Sequence, residues 1–569
     1  MKSQILSLNK KPYPAYKSLK KKFDFDQFQL KVVYVQGDPF AAPSKITLTV
    51  PKIQFSTRVQ KLWCTQNGVP LCDFFGRRMA KKISDLKTFD MGSGKSGVIR
   101  IDQGGQHILD RASCQLDTKW LHFNMEVGLP AFGRRIAAEH CVTLLCKQIP
   151  LLLNQAITTN SDDENDLIQH IHCYLNDLAL REILRSLGAI VFIANGSILP
   201  RESGDSHKPM TENVVPFKSP KELSKTITLP YEYAGQTEIT GMLLPRGIHL
   251  ITGGGYHGKS TVLQAISNGV YCNIPGDGRE LVICDDSAAH IKAEEGRSVC
   301  GVDIRSLISN LPGNKASDYF YSKDASGSTS QAASIVESIE SGSTVLLMDE
   351  DTSATNLLIR DARMQALVEK KWEPITPLID RIKQFQEKLG ISTILIIGGC
   401  GDYLEIADLV LKMEGYQIKN VTEKAKQIVE KYDNRRISEN TSPLQRLNRR
   451  QIQAKSIDPS RGRFEIKIDL TGTKLLKFGN YEIDLRGLEQ ITDPSQLRAA
   501  AFTLLWIKNK AENSKLDFQD ILVELKSCLE DNGLKVVWGN ETHPGDLALP
   551  RVIEVAAILN RLRSLKLDQ

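Results

Sequence analysis

The run from Gly253 to Thr261, Gly-Gly-Gly-Tyr-His-Gly-Lys-Ser-Thr, fits the phosphate-loop pattern G-x-x-x-x-G-K-[ST] and constrains the fold more than any other stretch. The apolar run 248–251 predicts a strand before it, and residues 261–266 predict a helix after it. Glycines let the backbone wrap a phosphate with its amide groups, and a helix N-terminus adds a positive partial charge. The stretch therefore predicts a nucleotide-phosphate site in an α/β fold.

The positions of this loop have separate expected roles. Lys259 is expected to reach the β- and γ-phosphates and to act in catalysis, and the Ser260 hydroxyl is expected to ligate Mg²⁺. His257 occupies a variable slot, where filling the loop is expected rather than catalysis. The residues expected to contact the nucleotide are Gly253, Gly254, Gly255, Tyr256, His257, Gly258, Lys259, Ser260 and Thr261.

Two carboxylates follow the near-continuously apolar run 344–348, which predicts a central parallel strand. Asp349 is expected to hold Mg²⁺ through water, and Glu350 is expected to polarise the water that attacks the γ-phosphate. A solvated turn after a buried strand is the alternative for 349–351. The phosphate loop upstream favours the catalytic interpretation.

A third element lies between these two. Residues 326–331, Ser-Gly-Ser-Thr-Ser-Gln, resemble the ABC signature usually written LSGGQ, and residues 350–354, Glu-Asp-Thr-Ser-Ala, resemble the ABC sequence E-P-T-S-A with its D-loop. Asp351 stands where that pattern has proline. Small hydroxyl residues also cap helices, so a simple capping loop is the alternative for 326–331. The order of the three elements favours the ABC interpretation.

The resemblance extends over most of the chain, from about residue 13 past residue 490. The chain is similar to the family called predicted ATPase of the ABC class. The segments that carry the similarity are QGDPFA at 36–41, GLPA at 128–131, GRR at 133–135, ANG at 194–196, IPGDGRE at 274–280, residues 325–332 and 349–356, EPITP at 373–377 and GGCGDY at 398–403.

The resemblance implies an ATP-binding homodimer that uses Mg²⁺. In ABC cores each site combines the phosphate loop of one protomer with the signature of the other, so two composite sites are expected. Ser326, Gly327, Ser328 and Thr329 would then contact the γ-phosphate held by the second protomer. The family lacks transporter spans, and a mitochondrial RNA-processing relative in trypanosomes suggests RNA as one partner.

The sequence departs from the ABC pattern at three positions. The Q-loop glutamine is missing, because only Gln264 lies between the loop and the signature-like segment, and it comes too early. No histidine follows the last core strand, where 398–402 read GGCGD, so the expectation is either slow hydrolysis or hydrolysis that uses other groups. The third position is the aromatic residue that usually stacks on adenine upstream of the loop. Tyr231 or Tyr233 would fill this role, and ordinary packing is the alternative for both. The open substitutes for the glutamine are Asp285, Asp286, Glu294 and Glu295.

Shifts in pattern along the 569 residues predict three parts. They are a family-specific α+β domain at 1–220, an ABC-type P-loop ATPase domain at 221–430, and a basic segment with a small α+β domain at 431–569. Strands are predicted at 30–35, 46–50, 189–194, 281–284, 344–348, 392–397 and within 464–485, and helices at 136–153, 166–187, 496–510 and 515–531.

A second glycine-rich run, GSGKSG at 92–97, imitates a phosphate loop. Phe89 stands where the pattern needs glycine, and 87–90 is not an apolar strand. We therefore predict a flexible loop there rather than a phosphate loop, with contact to an anion left open. His290 is likewise expected to be structural.

Charge and cysteine content bound the setting. The net charge of +6 does not establish a nucleic-acid partner, but the stretch 435–463 is rich in arginine. Its alternatives are nucleic-acid binding and a flexible basic linker. The 11 cysteines are odd in number and form no C-x-x-C pair, the apolar runs are too short to span a bilayer, and the first residues lack a secretory apolar stretch. A cytoplasmic protein without a membrane partner is expected.

Three functions remain open from the sequence. The first is a Mg²⁺-dependent ATPase whose homodimer couples hydrolysis to a change of shape. The second is a clamp that binds RNA or another nucleic acid under the control of ATP. The third is a structural dimer that binds nucleotide with little turnover.

Overall fold

A computed structural model describes residues 1–86, 91–204, 206–432, 434–439, 443–538 and 545–568, so 87–90 with Phe89 lies outside the described residues. The described chain divides into two compact units, one of residues 1–175 with 533–549 and the other of residues 176–532 with 550–569. The division at residues 220 and 430 stays a prediction.

The first unit is built on an antiparallel sheet. Alternating burial along Ser44–Pro51 shows why this segment forms a strand, since every second side chain enters the core. In sheet order the strands are Lys22–Asp24, Gln29–Tyr34, Ser44–Pro51, Trp120–Val127 and Ile99–Ile101, with Cys114–Leu116 also paired to Trp120–Val127. A short pair, Ala131–Phe132 and Arg135–Ile136, lies outside this sheet. The helices are Lys2–Leu6, Thr57–Lys61, Gly68–Ser84, Ala138–Thr143 and Ile149–Ile157, and Ser161–Ser186 carries the chain into the second unit.

The glycine-rich run 92–97 uses its own backbone amides for packing in the first unit. The Lys95 N–H donates to Pro39 O (2.8 Å) and the Gly97 N–H donates to Gly128 O (2.8 Å). A Cβ on Gly128 would overlap the carbonyl oxygen of Lys95, so the two loops meet where only glycine fits. Because the amides of Lys95 and Gly97 are already bonded, they are not available to wrap a phosphate as a phosphate loop does.

The second unit contains the parallel sheet that the phosphate loop requires. In sheet order the strands are Ala288–Ile291, Val345–Asp349, Ser392–Ile396, Ile248–Gly253, Leu409–Glu414 and Gln417–Asn420, of which the first five run parallel. Every residue of Val345–Asp349 and Ser392–Ile396 is buried, as expected for strands covered on both faces. The predicted α/β fold with a central parallel sheet is thus confirmed.

The rest of the second unit surrounds this sheet. A separate antiparallel sheet has the order Ser224–Tyr233, Gln236–Pro245, Ala189–Ala194 and Val282–Cys284. The predicted strand at 281–284 therefore exists but lies outside the parallel sheet. Smaller sheets are Arg297–Val302 with Phe320–Ala325, and Ile468–Thr471, Leu475–Phe478 and Tyr481–Asp484. The helices are Lys259–Asn268, Gly327–Glu340, Thr355–Leu358, Ala362–Leu367, Leu378–Leu389, Thr422–Lys431, Pro494–Asn513, Phe518–Asn532 and Val552–Asn560.

The α-helices of the described residues range in length from 4 to 26 residues. No single helix there has the length and apolar character to cross a bilayer. The bent pair Ala138–Ile157 and Ser161–Ser186, with 71° between its members, meets the length and composition criteria jointly.

Candidate phosphate-loop site

The phosphate loop, residues 253–261, begins at the carboxyl end of the strand Ile248–Gly253 and ends in the helix Lys259–Asn268. Gly253 has φ 140°, and a Cβ on it would overlap the carbonyl oxygen of Met413 on the neighbouring strand. Gly258 has φ 91° and caps the helix N-terminus. Both positions therefore need glycine, which is why the pattern is glycine-rich here.

Lys259 is partly buried, whereas the middle of the loop is exposed to solvent. The Lys259 ammonium donates to the carbonyl oxygens of Gly253 and Gly254, both at 2.8 Å, so it already lies across the mouth of the loop. Gly255 has open space around it, and the Tyr256 side chain is fully exposed. A phosphate oxygen is a stronger acceptor for an ammonium group than a neutral carbonyl oxygen.

Ser260 and Asp349 meet although they are far apart in the chain. The Ser260 hydroxyl donates to Oδ2 of Asp349 at 2.8 Å. Asp349 ends the strand Val345–Asp349 and is only 5% exposed. Thr261 follows in the helix and is partly exposed. The Ser260 hydroxyl and the Asp349 carboxylate thus lie together at the carboxyl edge of a parallel sheet, which is where such folds bind ligands.

The Glu350 carboxylate is held by backbone amides. Its Oε2 accepts hydrogen bonds from the N–H groups of Gly398 (2.6 Å) and Gly399 (2.9 Å), just after the strand Ser392–Ile396. A Cβ on Gly399 would stand 3.1 Å from Oε1 of Glu350. The position expected to carry a histidine side chain thus supplies two amide donors instead.

Cys400, next in the chain, offers no replacement base. Its thiol donates to Oδ2 of Asp402 at 3.3 Å. Burial raises the pKa of the Cys400 thiol to about 12, so it stays protonated at neutral pH. The glycine pair is therefore the feature of this segment that reaches Glu350.

The signature-like residues open the helix Gly327–Glu340 and carry mutually bonded hydroxyl groups. Ser326 Oγ lies 3.0 Å from Thr329 Oγ1 and 3.4 Å from Ser328 Oγ. In the described part of the chain, no hydrogen bond joins 326–329 to the phosphate loop of the same chain.

Gln331 ties this helix to the residues that follow Glu350. Its amide donates to Ser353 Oγ at 2.9 Å, and its carbonyl oxygen accepts the Ala354 N–H at 2.8 Å. Gln331 is completely buried. The signature-like segment 326–331 and the D-loop-like segment 352–356, which the sequence relates only by order, are thus in direct contact.

The loop 292–295 follows the edge strand Ala288–Ile291, which pairs with the strand Val345–Asp349. The Ala293 N–H donates to Thr352 O at 3.0 Å, so the loop is bonded to the segment that follows Glu350. Glu294 binds Arg561 (Nε to Oε2, 3.0 Å); burial raises the pKa of this carboxyl, but Arg561 outweighs it and holds the pKa below its usual value. Glu295 is exposed.

The remaining candidates for the missing side chains have other partners. Asp285 accepts from Ser287 and lies 3.3 Å from Arg246, and Asp286 pairs with Arg185 at 2.9 Å. Tyr233 is 7% exposed with its hydroxyl 3.2 Å from Glu280, which supports ordinary packing. His290 lies 3.1 Å from Glu489 and is buried, as expected for a structural residue.

The basic stretch 435–463 is partly consumed by internal ion pairs. Arg436 binds Asp380 through both guanidinium Nη atoms. Arg450 and Glu340 are each 2% exposed and pair at 2.6 Å. A stretch with paired and buried arginines differs from a flexible linker and exposes fewer charges than its composition suggests.

These features define a P-loop nucleotide-binding protein: a parallel sheet, a phosphate loop, and a serine bonded to an aspartate that ends another strand of the same sheet. More specifically, the chain belongs to the ATPases of the ABC class. The P-loop domain model of the ABC ATPases matches residues 163–450, the N-terminal model of the ATPases of the ABC class matches residues 1–160, and the MRB1590 C-terminal domain matches residues 467–568. This membership supports ATP binding.

One individual protein is similar to part of this chain. MJ1628, an uncharacterized protein of Methanocaldococcus jannaschii, is 32% identical over 262 residues, which cover 44% of this chain and 56% of that protein. The chain therefore spans about half the length of this relative.

Two solved structures have similar segments. One is cbiO1 from Clostridium perfringens, part of the ABC transporter complex cbiONQ (17% identity, 37% of this chain, 93% of that chain, TM-score 0.23). The other is MJ1267, an ATP-binding cassette of an ABC transporter (12% identity, 42% of this chain, 95% of that chain, TM-score 0.25). With TM-scores this low, the fold assignment rests on the sheet order and the family match.

Proposed function

We propose that this protein hydrolyses ATP in a Mg²⁺-dependent reaction, as a homodimer whose shape changes with the nucleotide. The observation that carries the proposal is the bond of Ser260 to Asp349, with Glu350 next in the chain and aligned by backbone amides. Phosphate release from ATP, measured with Mg²⁺ and with excess chelator, tests it. Release in both conditions at the uncatalysed rate would contradict the proposal.

The donors at this site fit Mg²⁺. The Ser260 hydroxyl and the Asp349 carboxylate would hold the ion, and both are hard oxygen ligands of the kind Mg²⁺ prefers. Among the described residues no group of three or more His, Cys, Asp or Glu side chains could hold a metal alone. This agrees with an ion that takes its other ligands from phosphates and water. When bound, Mg²⁺ would neutralise charge on the phosphates.

The roles of the charged residues follow from their positions. Lys259 leaves the two loop carbonyls and binds the β- and γ-phosphates of ATP. Glu350 accepts a proton from the attacking water. The amides of Gly398 and Gly399 fix its carboxylate, which we propose as this chain's substitute for the absent switch histidine. Of the four acidic substitutes for the Q-loop glutamine, Glu295 is the one we propose, because it is exposed beside the segment of Thr352.

We predict that Gly399→Ala lowers kcat roughly tenfold and leaves ATP affinity unchanged, because small misplacements of a catalytic group slow the chemical step. The new Cβ would stand 3.1 Å from Glu350 Oε1 and push the carboxylate aside. Steady-state phosphate release and ATP titration measure the two effects. Gly401→Ala is the matched control, since a Cβ there meets nothing within 4 Å. Equal kcat for the two variants would contradict the positioning role.

The composite site supports the homodimer. The hydroxyls of Ser326, Ser328 and Thr329 are bonded mainly to one another and are partly exposed, so they can redirect toward a ligand from another chain. The phosphate loop also lies open at Gly255 and Tyr256. We propose that Ser326, Gly327, Ser328 and Thr329 complete the ATP site of the partner protomer, with their contacts made to the γ-phosphate.

Two other functions remain as alternatives. A nucleotide-stabilised dimer with little turnover is favoured by the absent switch histidine, and it predicts tight ATP binding with phosphate release that Glu350→Gln does not slow. An RNA clamp draws on the arginines of 435–463 for which the described residues provide no ion pair, such as Arg463. Filter binding of RNA at two salt concentrations tests the clamp, since phosphate contacts lose affinity as salt rises. No binding at low salt would exclude it. We also propose a cytoplasmic setting, because the 11 cysteines are scattered along the chain and are free thiols, as is usual in a reducing compartment.

A further inference from the structure

The hairpin Leu409–Glu414 and Gln417–Asn420 carries an exposed tyrosine beside the phosphate loop. Its first strand runs parallel to the strand Ile248–Gly253, and the last paired residues are Gly253 and Met413. The hairpin turn, residues 414–417, therefore extends past the sheet edge at the level of the loop. Tyr416 lies in this turn with 59% of its surface exposed.

Two contacts hold the turn against the loop. The Gly415 N–H donates to Nδ1 of His257 at 2.8 Å, so the residue in the variable slot of the loop binds the hairpin. The Tyr416 ring lies next to Gly258, where an added Cβ would stand 3.3 Å from Cδ1 of the ring. Gly258 directly precedes Lys259. The aromatic ring thus lies beside the segment that binds phosphate.

The backbone of Tyr416 is in an unusual conformation. Its φ is 63°, in the left-handed region that bulky residues rarely adopt. Such strain persists where the surrounding structure enforces it, and it concentrates at ligand clamps. Because most of the ring is exposed, burial in a core does not account for its position.

The tyrosines upstream of the loop have other roles. Tyr233 is buried with its hydroxyl against Glu280, so its ring is unavailable to a ligand. Tyr231 is half-buried, and its backbone N–H and carbonyl are bonded to the side chain of Asn176. An aromatic surface next to the loop comes instead from the hairpin that follows the last core strand.

We infer that Tyr416 is the stacking platform for the nucleobase of the nucleoside triphosphate whose phosphates occupy the loop. This inference rests on the proposed function and adds the base subsite to it. Stacking on an aromatic face tolerates any base, because every base has a π-face. The platform therefore predicts similar affinity for ATP and GTP at this subsite.

Two ligands separate stacking from a structural role of the ring. We expect Tyr416→Ala to weaken ATP binding on the order of ten- to a hundredfold and to leave binding of inorganic tripolyphosphate, which has no base, unchanged. Tyr416→Phe keeps the ring and should bind ATP as the wild type does. Tyr432→Ala removes an exposed tyrosine outside the loop and hairpin and serves as the control. Calorimetric titration of each full-length variant measures both affinities.

The outcomes distinguish the inference from the proposed function. Equal losses for ATP and tripolyphosphate in Tyr416→Ala would mean that the ring only shapes the loop, and they would overturn the inference. Unchanged ATP affinity in this variant would also overturn it while leaving the proposed function intact. Wild-type protein that binds neither ligand would overturn the proposed function and the base platform together.

Discussion

Replacing Lys259 by alanine should slow phosphate release from Mg²⁺-ATP by at least about a hundredfold, because the loss of one preorganised charge at a developing anion costs this much or more. The Lys259 ammonium lies at the mouth of the loop, held at 2.8 Å by the carbonyls of Gly253 and Gly254. ATP affinity should fall as well, since the lysine contacts phosphate before and during the reaction. Phosphate release and ATP titration measure the two effects.

The chain contains a matched control for this substitution. Lys95 stands in the run GSGKSG at 92–97, which has the composition of a phosphate loop but donates its amides to Pro39 and Gly128. Lys95→Ala should therefore hydrolyse and bind ATP as the wild type does. Equal turnover in Lys259→Ala and wild type would contradict the assignment of the loop at 253–261.

The second large effect concerns stability. Arg450→Met should destabilise the second unit by about 3–5 kcal/mol, because it leaves the carboxylate of Glu340 buried without its partner. Both side chains are 2% exposed, and Arg450 also donates to Cys300 O and lies over the ring of Phe518. Burial raises the pKa of the Glu340 carboxyl, and the arginine only partly offsets this. Calorimetry should show a melting temperature lower by several degrees.

A double variant separates the ion pair from the packing. Arg450→Met with Glu340→Leu removes both charges, and it should recover much of the lost stability because a buried pair replaced by apolar groups is often neutral. Arg461→Met, at an exposed position of the same basic stretch, is the control and should melt with the wild type. A melting temperature of Arg450→Met equal to that of Arg461→Met would contradict a structural role for Arg450.

The parallel core could be predicted because its signals are local. The loop pattern at 253–261 and the apolar run before Asp349 each specify a strand end, and strand ends of a parallel sheet meet at one edge. The run 281–284 is as clear a strand signal as the run before Asp349, yet this strand pairs antiparallel with Ala189–Ala194, outside the parallel sheet. An apolar run indicates burial but does not specify the partner strand.

The features that the sequence did not reveal depend on tertiary contacts. The Glu350 carboxylate is held by the backbone N–H groups of Gly398 and Gly399. Hydrogen bonds from the backbone cannot be recognised from the side chains in a sequence. The pairing of Gly258 with Tyr416 joins residues of separate motifs. Arg450 belongs to a basic run that composition alone assigns to a linker or a nucleic-acid surface, and only the fold shows its partner Glu340.

The mass of the protein in solution is the decisive test of the composite ATP site. Glu350→Gln should keep ATP bound while slowing hydrolysis by about 10²–10⁴-fold, because it removes the proposed base without changing its size. In analytical ultracentrifugation this variant should sediment as a dimer with Mg²⁺-ATP and return toward monomer without nucleotide. Adding Ser328→Arg, which places a bulky side chain at the signature-like residues, should prevent the dimer. Sedimentation that is the same with and without ATP in Glu350→Gln would contradict the composite site.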